Sequence, residues 1–137
     1  MSNIQYCKLS LEDFKKAFEF GTKYYLDPNK ITTGRTTAEP RGLGAVLDAF
    51  TIGKITEIGV QKILFKQNEK KSYILDFDIK KNILVKNEPD IIGVYENEKI
   101  RTPNVFIEIK YTSEKDRWLG ITEEQFNTIK RSSKNRG

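Results

Sequence analysis

The spacing of the apolar residues changes once along this chain, and the change limits the folds open to it. From residue 43 to about 66, apolar side chains recur at intervals of three to five residues, which is typical of helix. Over residues 73–79 the side chains alternate between two faces, which is the period of a β-strand. Two further β-rich runs follow, at 91–95 and 105–111. The pattern predicts an α/β domain in which three consecutive strands follow the helical region.

Capping signals predict a helix near each end of the chain. Ser10 followed by Asp13 marks the start of the first helix, and Asp27-Pro28 marks its end. Thr122 to Gln125 has the pattern of a capping box and opens a last helix that reaches Lys130. Along the first helix, one face collects apolar residues, namely Leu11, Phe14, Phe18 and Tyr25.

Two shorter signals complete the expected order of elements. Thr51-Ile52-Gly53 predicts a break inside the helical region. Residues 96–104, ENEKIRTPN, predict a hairpin-type loop between the second and third strands. The expected order is therefore helix, helix, three strands, helix. A length of 137 residues suits a single domain.

The chain contains no histidine, and this excludes several kinds of enzyme. Ser-His-Asp and Cys-His arrangements cannot be built, and acid–base catalysis by histidine at neutral pH is lost. With one cysteine, a zinc site of the His-rich or Cys-rich kind is also excluded. Any catalysis must therefore use carboxylates, lysine, tyrosine or a hard metal ion.

Cysteine usage and hydropathy predict a cytoplasmic location. Cys7 is the single cysteine and cannot form an internal disulfide, which fits a reducing compartment. No apolar run approaches the roughly 18 residues that cross a bilayer. The first residues also lack the basic and apolar segments of a secretory signal.

The charge is +5, from 24 basic and 19 acidic residues, which mildly favours a polyanionic partner. Candidate DNA contacts lie in a polar loop at residues 29–42, which contains Arg35 and Arg41, and in the basic C-terminal region, which contains Lys130 and Arg131. The alternative is that the loop arginines are simply solvated and that the later cations stabilise a helix end.

The chemistry is concentrated in two short segments. In the strand VFIEIKY, Glu108 and Lys110 share one face, and such charges are costly to bury without a partner or a metal. Pro89-Asp90 begins the preceding strand, so Asp90 and Glu108 can lie close together at one end of a strand pair. Two adjacent carboxylates repel unless a cation joins them, and oxygen ligands suit Mg²⁺ or Mn²⁺.

Pro89-Asp90 followed by Glu108-Ile109-Lys110 resembles the signature of the PD-(D/E)XK nuclease superfamily, which includes many type II restriction endonucleases. The resemblance implies that Asp90 and Glu108 bind Mg²⁺, which Mn²⁺ can replace. It also implies that the backbone carbonyl of Ile109 completes the coordination and that Lys110 is the catalytic lysine. Glu57 stands where many members carry a further acid on the first core helix, and we include it among the catalytic residues.

The implied activity is Mg²⁺-dependent hydrolysis of phosphodiester bonds in double-stranded DNA, as in a type II restriction endonuclease. Two alternatives stay open. One is a structure-selective nuclease such as a Holliday-junction resolvase, and the other is a non-catalytic nucleic-acid-binding module with the same fold. Enzymes of this kind usually act as dimers on two-fold symmetric sites.

The family core is a central mixed sheet flanked by helices, in the order helix, three strands, helix, strand. We expect residues 1–42 to form an N-terminal helix and loop, residues 43–131 the catalytic core, and residues 132–137 a basic tail. The fourth core strand has no counterpart in the sequence. The strand VFIEIKY would then lie at an open edge, so we expect a fragment of a larger nuclease or a sheet completed by a homodimer partner.

Several of these residues also have a purely structural explanation. Asp90 could be a turn residue, and Glu108 with Lys110 could form an exposed cross-strand ion pair. Further polar or aromatic positions have simple structural explanations. A polar strand face explains Asp76 and Asp78, helix capping explains Gln125, and burial explains Trp118.

Overall fold

The computed structural model describes residues 4–27, 43–79 and 88–113, together with residues 115, 123, 126, 127 and 130. Its elements in chain order are α1 (Leu11–Leu26), α2 (Leu43–Gln67), β1 (Lys71–Leu75), β2 (Ile91–Glu96) and β3 (Lys99–Arg101). The two helices precede the strands, so the predicted α/β arrangement is confirmed at this level. No helix in the described ranges combines the length and apolar character needed to cross a membrane.

Helix α1 begins at the predicted capping box. The Asp13 amide donates to the Ser10 hydroxyl over 3.1 Å, and the Ser10 amide donates to Asp13 Oδ2 over 2.7 Å. Lys62 of α2 lies 2.5 Å from the same carboxylate oxygen. Its hydrogen bond is the largest cause that lowers the pKa of Asp13 to about 2, followed by the Ser10 amide. The cap therefore also joins α1 to α2.

The apolar face predicted for α1 is not its buried face. Leu11, Phe14 and Phe18 are exposed, whereas Ala17 and Gly21 are buried. A Cβ built on Gly21 would lie 2.9 Å from the Thr51 hydroxyl of α2. The helices therefore approach each other through small residues, and larger side chains at the contact would hold them apart.

Helix α2 is continuous over 25 residues, so the predicted break at residues 51–53 is wrong. Thr51 in this segment and Lys54 directly after it are both buried. Tertiary packing thus outweighs the weak helix propensity of β-branched residues and glycine.

The sheet is antiparallel throughout the described strands, in the order β1-β2-β3, rather than mixed as predicted. Strands β2 and β3 are joined by Asn97 and Glu98, whose φ angles are 51° and 61°. Positive φ at both turn residues is the signature of a tight hairpin with the natural strand twist. The segment predicted as a loop therefore contains the third strand, at Lys99–Arg101.

Residues 105–111 do not form the predicted strand of the sheet, although they lie beside it. The Asp90 amide donates to the Ile107 carbonyl over 3.0 Å, and the Asp76 amide donates to the Asp90 carbonyl over 3.1 Å. The edges of the described sheet are β1 and β3. The expectation that VFIEIKY forms an open edge strand is therefore wrong.

The hydrophobic core lies between the helices and the sheet. Its buried members are Ala17, Ile58, Leu75 and Ile91, and residues packed against it include Ile107 and Ile109. The alternation predicted for residues 105–111 thus holds, since the isoleucines contact the core while Glu108 and Lys110 pair with each other.

Several expectations lie outside the described residues. They concern Arg35, Arg41, Trp118, Gln125, Arg131 and the tail at 132–137. Residues 123, 126, 127 and 130 are helical, as the predicted last helix requires, and Lys130 is exposed.

Candidate active site

Asp90 is held at the start of β2 by bonds to two neighbouring segments. Its backbone contacts Asp76 and Ile107, as described above. Its carboxylate oxygen Oδ2 accepts a hydrogen bond of 2.5 Å from the Ile109 amide. The carboxylate therefore lies against the backbone between Glu108 and Lys110, and the two segments of the sequence motif are adjacent in space.

Glu108 and Lys110 form an ion pair within one segment. Their side chains are 18% and 16% exposed, so the pair is largely shielded from water. An exposed cross-strand pair, the ordinary explanation considered for these residues, is not what the structure contains. Shielding strengthens the electrostatic effect of both charges on any group that binds beside them.

Helix α2 contributes Glu57 and an unpredicted residue, Lys54. Lys54 is 6% exposed, and its ammonium donates to Glu57 Oε2 over 2.6 Å and to the Asp76 carbonyl over 2.5 Å. The same ammonium lies 4.4 Å from the ring centre of Phe20 and 5.0 Å from that of Phe77. A lysine three residues before an acid on an apolar helix was the signal that sequence reasoning passed over.

Asp76 is also part of this cluster, where the sequence favoured a polar surface position. It is 8% exposed, and its Oδ1 accepts a hydrogen bond of 2.9 Å from the Asp78 amide. Asp78 is exposed, so only one of the two acids turns inward. Strand β1 ends at Leu75, and the alternation of a longer strand does not apply beyond it.

Two carboxylates of the site, those of Glu57 and Asp90, have raised pKa values. Burial raises the pKa of Glu57 to about 7, against the opposing effect of Lys54, and the charges of Asp90 and Asp76 raise it further. Burial likewise raises the pKa of Asp90 to about 6; the Ile109 amide opposes this, and the charge of Glu108 adds to it. The three carboxylates predicted for the site therefore interact electrostatically, which is typical of functional sites.

Carboxylate oxygens suit a hard cation such as Mg²⁺, but the described residues offer few of them to one ion. Among the described residues, no group of three or more acids or cysteines lies closely enough to hold a metal ion. Mg²⁺ in proteins usually has one or two carboxylate ligands and completes its shell with water and substrate phosphate. A site built on Asp90 and Glu108 would need no more carboxylates than this, and the described residues do not place Glu57 with them as a group of three ligands.

Comparison of the chain with protein-family models, with curated proteins and with solved structures finds no match. The resemblance to the nuclease superfamily therefore rests on Pro89-Asp90 and Glu108-Ile109-Lys110 and on the residues that surround them.

Proposed function

We propose that the protein is a Mg²⁺-dependent DNA endonuclease of the PD-(D/E)XK type, most similar to type II restriction enzymes. The observation that supports this best is the contact between the Asp90 carboxylate and the Ile109 amide. It brings the acid of the first motif segment beside the acid and the lysine of the second. If the similarity to the nuclease signature were due to chance, the two motif segments would have no reason to be in contact.

Asp90 and Glu108 would hold the metal ion, with the Ile109 carbonyl as a third oxygen donor. When bound, Mg²⁺ polarises the phosphodiester and makes a water molecule a better nucleophile. Asp90 is suited to its role because its position is fixed by three backbone contacts. Fixed ligands need no rearrangement when the substrate arrives.

Lys110 would act on the phosphate. Its ammonium is held by Glu108 in a largely shielded position. A positive charge at that place stabilises the negative charge that develops at phosphorus, and it can orient the attacking water. Glu57 would contribute a carboxylate that faces Asp90 without binding the metal directly.

Double-stranded DNA would be positioned by basic groups of the protein, for which the exposed Lys130 is a candidate. Phosphate contacts of this kind supply affinity, while contacts to base edges supply sequence preference. We propose a homodimer on two-fold symmetric DNA as the active form.

The test is incubation of the whole chain with plasmid DNA in Mg²⁺, followed by sequencing of the new ends, with EDTA and Glu108→Gln as controls. Ends at one repeated sequence, formed only with metal and intact Glu108, support the proposal. Cleavage of branched DNA alone would favour a junction resolvase. DNA binding without any cleavage over long incubation would favour a non-catalytic binding module.

A further inference from the structure

Lys54 has no role in the mechanism above, yet its ammonium is among the most buried charged groups of the described chain. Lysine is almost never fully buried unless its charge is paired, because an ammonium loses much hydration free energy on burial. Several groups compensate for the lost hydration of the Lys54 ammonium. It bonds to a carboxylate and to a backbone carbonyl, and it lies over two aromatic rings.

We propose that Lys54 is a positioning residue of the candidate active site, which acts by fixing the orientation of the Glu57 carboxylate. The inference rests on the proposed function and assigns a residue that the family signature does not contain. Lys54 itself contacts neither of the proposed metal ligands in the described structure.

The groups around Lys54 come from three parts of the chain. Lys54 and Glu57 belong to α2, Phe20 belongs to α1, and Asp76 and Phe77 follow β1. The ammonium therefore ties the helix that carries Glu57 to the end of the strand next to Asp90. A side chain that only filled space would not need a charge at this junction, since an apolar residue would avoid the cost of desolvation.

The hydrogen bond to Lys54 also restricts Glu57. A glutamate side chain on a helix has several open rotamers, and a 2.6 Å bond from a buried ammonium selects one of them. With Oε2 held in this way, Oε1 has a defined position relative to the site. Such preorganisation matters for catalysis because a misplacement of about 1 Å can lower a rate by about 100-fold.

The substitution Lys54→Met keeps an unbranched side chain of similar volume, shorter by one atom, but removes its charge and its donors. We expect kcat to fall by about 10- to 100-fold. The KM for DNA should change little, because phosphate contacts elsewhere supply most of the affinity. Lys62→Met is the matched control: it removes a lysine from the same helix that pairs with Asp13 of α1, and it should leave kcat unchanged.

A double variant tests whether a loss of activity comes from an unpaired buried charge rather than from the proposed role of Lys54. Glu57→Gln combined with Lys54→Met leaves no unpaired charge of this pair in the interior. If Lys54 acts through Glu57, adding Lys54→Met to Glu57→Gln should change kcat by less than about 3-fold, because contacting residues that work as a unit are not additive. An additional 10-fold loss in the folded double variant would overturn the proposal.

A readout without DNA separates this inference from the proposed function. In amide NMR spectra of the whole chain, Lys54→Met should shift the Asp90 and Ile109 resonances, and Lys62→Met should not. Unchanged Asp90 and Ile109 resonances in folded Lys54→Met would overturn the positioning role even if the protein cleaves DNA. Absence of cleavage by the wild-type protein, together with shifted resonances, would refute the nuclease while leaving the coupling between Lys54 and this cluster in place.

Discussion

Three separate segments of the chain meet at Asp90. Its amide, carbonyl and carboxylate are each engaged, by Ile107, Asp76 and Ile109 respectively. Because its amide, carbonyl and carboxylate are all hydrogen-bonded, the Asp90 side chain has a fixed position before any ligand binds. The proposed chemistry depends on this fixed acid and on the ion pair of Glu108 with Lys110 beside it.

Removal of either charged residue of the second motif segment should abolish cleavage. For Glu108→Ala and Lys110→Ala we expect losses of at least about 100-fold, the usual contribution of one positioned catalytic group. DNA binding should persist, because it depends on other basic groups. Gel-shift and cleavage assays on the same samples separate the two effects. Near-normal cleavage by Glu108→Ala contradicts the assignment.

The metal-free protein should lose stability as the pH rises from about 4 to about 7. The pKa values of Glu57 and Asp90 are raised to about 7 and about 6, so the folded state holds more protons than the unfolded chain over this range. The free energy of unfolding therefore falls with rising pH, by on the order of 3–6 kcal/mol.

Urea unfolding at several pH values in EDTA measures this effect. The control is Glu57→Gln, which should flatten the decline because it removes the group with the larger shift. Mg²⁺ that binds the folded state should offset part of the loss at pH 7. A wild-type stability that increases between pH 5 and pH 7 would be inconsistent with these pKa shifts.

The site could be predicted from the sequence only in part. Asp90, Glu108 and Lys110 occur in a recognisable spacing, and the structure brings them together. The spacing of Lys54 and Glu57 was a weak signal, because a lysine on a helix is normally solvated and the burial of Lys54 depends on contacts from α1 and from the residues that follow β1. The sequence predicted a polar surface position for Asp76, which is buried. Strand β1 ends at Leu75, so the alternation of a strand does not predict the direction of the Asp76 side chain.

At the scale of elements, the contact between α1 and α2 depends on a glycine. Alanine at Gly21 would gain about 1 kcal/mol in helix propensity, but its Cβ would lie 2.9 Å from the Thr51 hydroxyl. Overpacking costs about 1–3 kcal/mol, so Gly21→Ala should be destabilising, by about 1 kcal/mol. Gly53→Ala is the matched control.

A Cβ on Gly53 meets nothing within 4 Å, so Gly53→Ala should stabilise the protein by about 0.5–1 kcal/mol. Denaturant unfolding of both variants measures the difference directly. Equal stabilisation by the two substitutions would show that the helices do not approach each other as closely as the structure indicates.

The hairpin turn offers a second test at this scale. Glu98 has a φ of 61°, a left-handed conformation that costs a non-glycine residue about 1 kcal/mol. Glu98→Gly creates the Asn-Gly pair that such turns favour, and it should raise the stability by about 0.5 kcal/mol. A loss of stability in urea unfolding would argue against the tight turn.

The same turn explains why the third strand was assigned to the wrong segment. Asn97-Glu98 lacks the glycine that usually marks a two-residue hairpin, and Lys99–Arg101 is too short for its alternation to be visible. Residues 105–111 have a stronger strand pattern but lie beside the start of β2 without forming a strand. The capping box of α1 was predictable because all of its bonds are local.

For the whole molecule, the order of helices before strands followed from the apolar spacing, whereas strand direction and order depend on contacts between distant residues. The described sheet is antiparallel and differs from the mixed sheet of the nuclease core. The proposed activity therefore depends on the arrangement of residues around Asp90 more than on overall similarity of fold.

The most direct measurement is the cleavage rate of plasmid DNA in Mg²⁺ by the wild-type protein, Asp90→Asn and Asp78→Asn. Asparagine at position 90 keeps an oxygen that can accept from the Ile109 amide, so the fold should persist while the metal ligand is lost. Asp78 is an exposed acid outside the proposed ligand set. We predict cleavage by the wild type and Asp78→Asn, and a loss of at least about 100-fold in Asp90→Asn. Equal rates for all three proteins, or no metal-dependent cleavage by any of them, would contradict a nuclease site at Asp90.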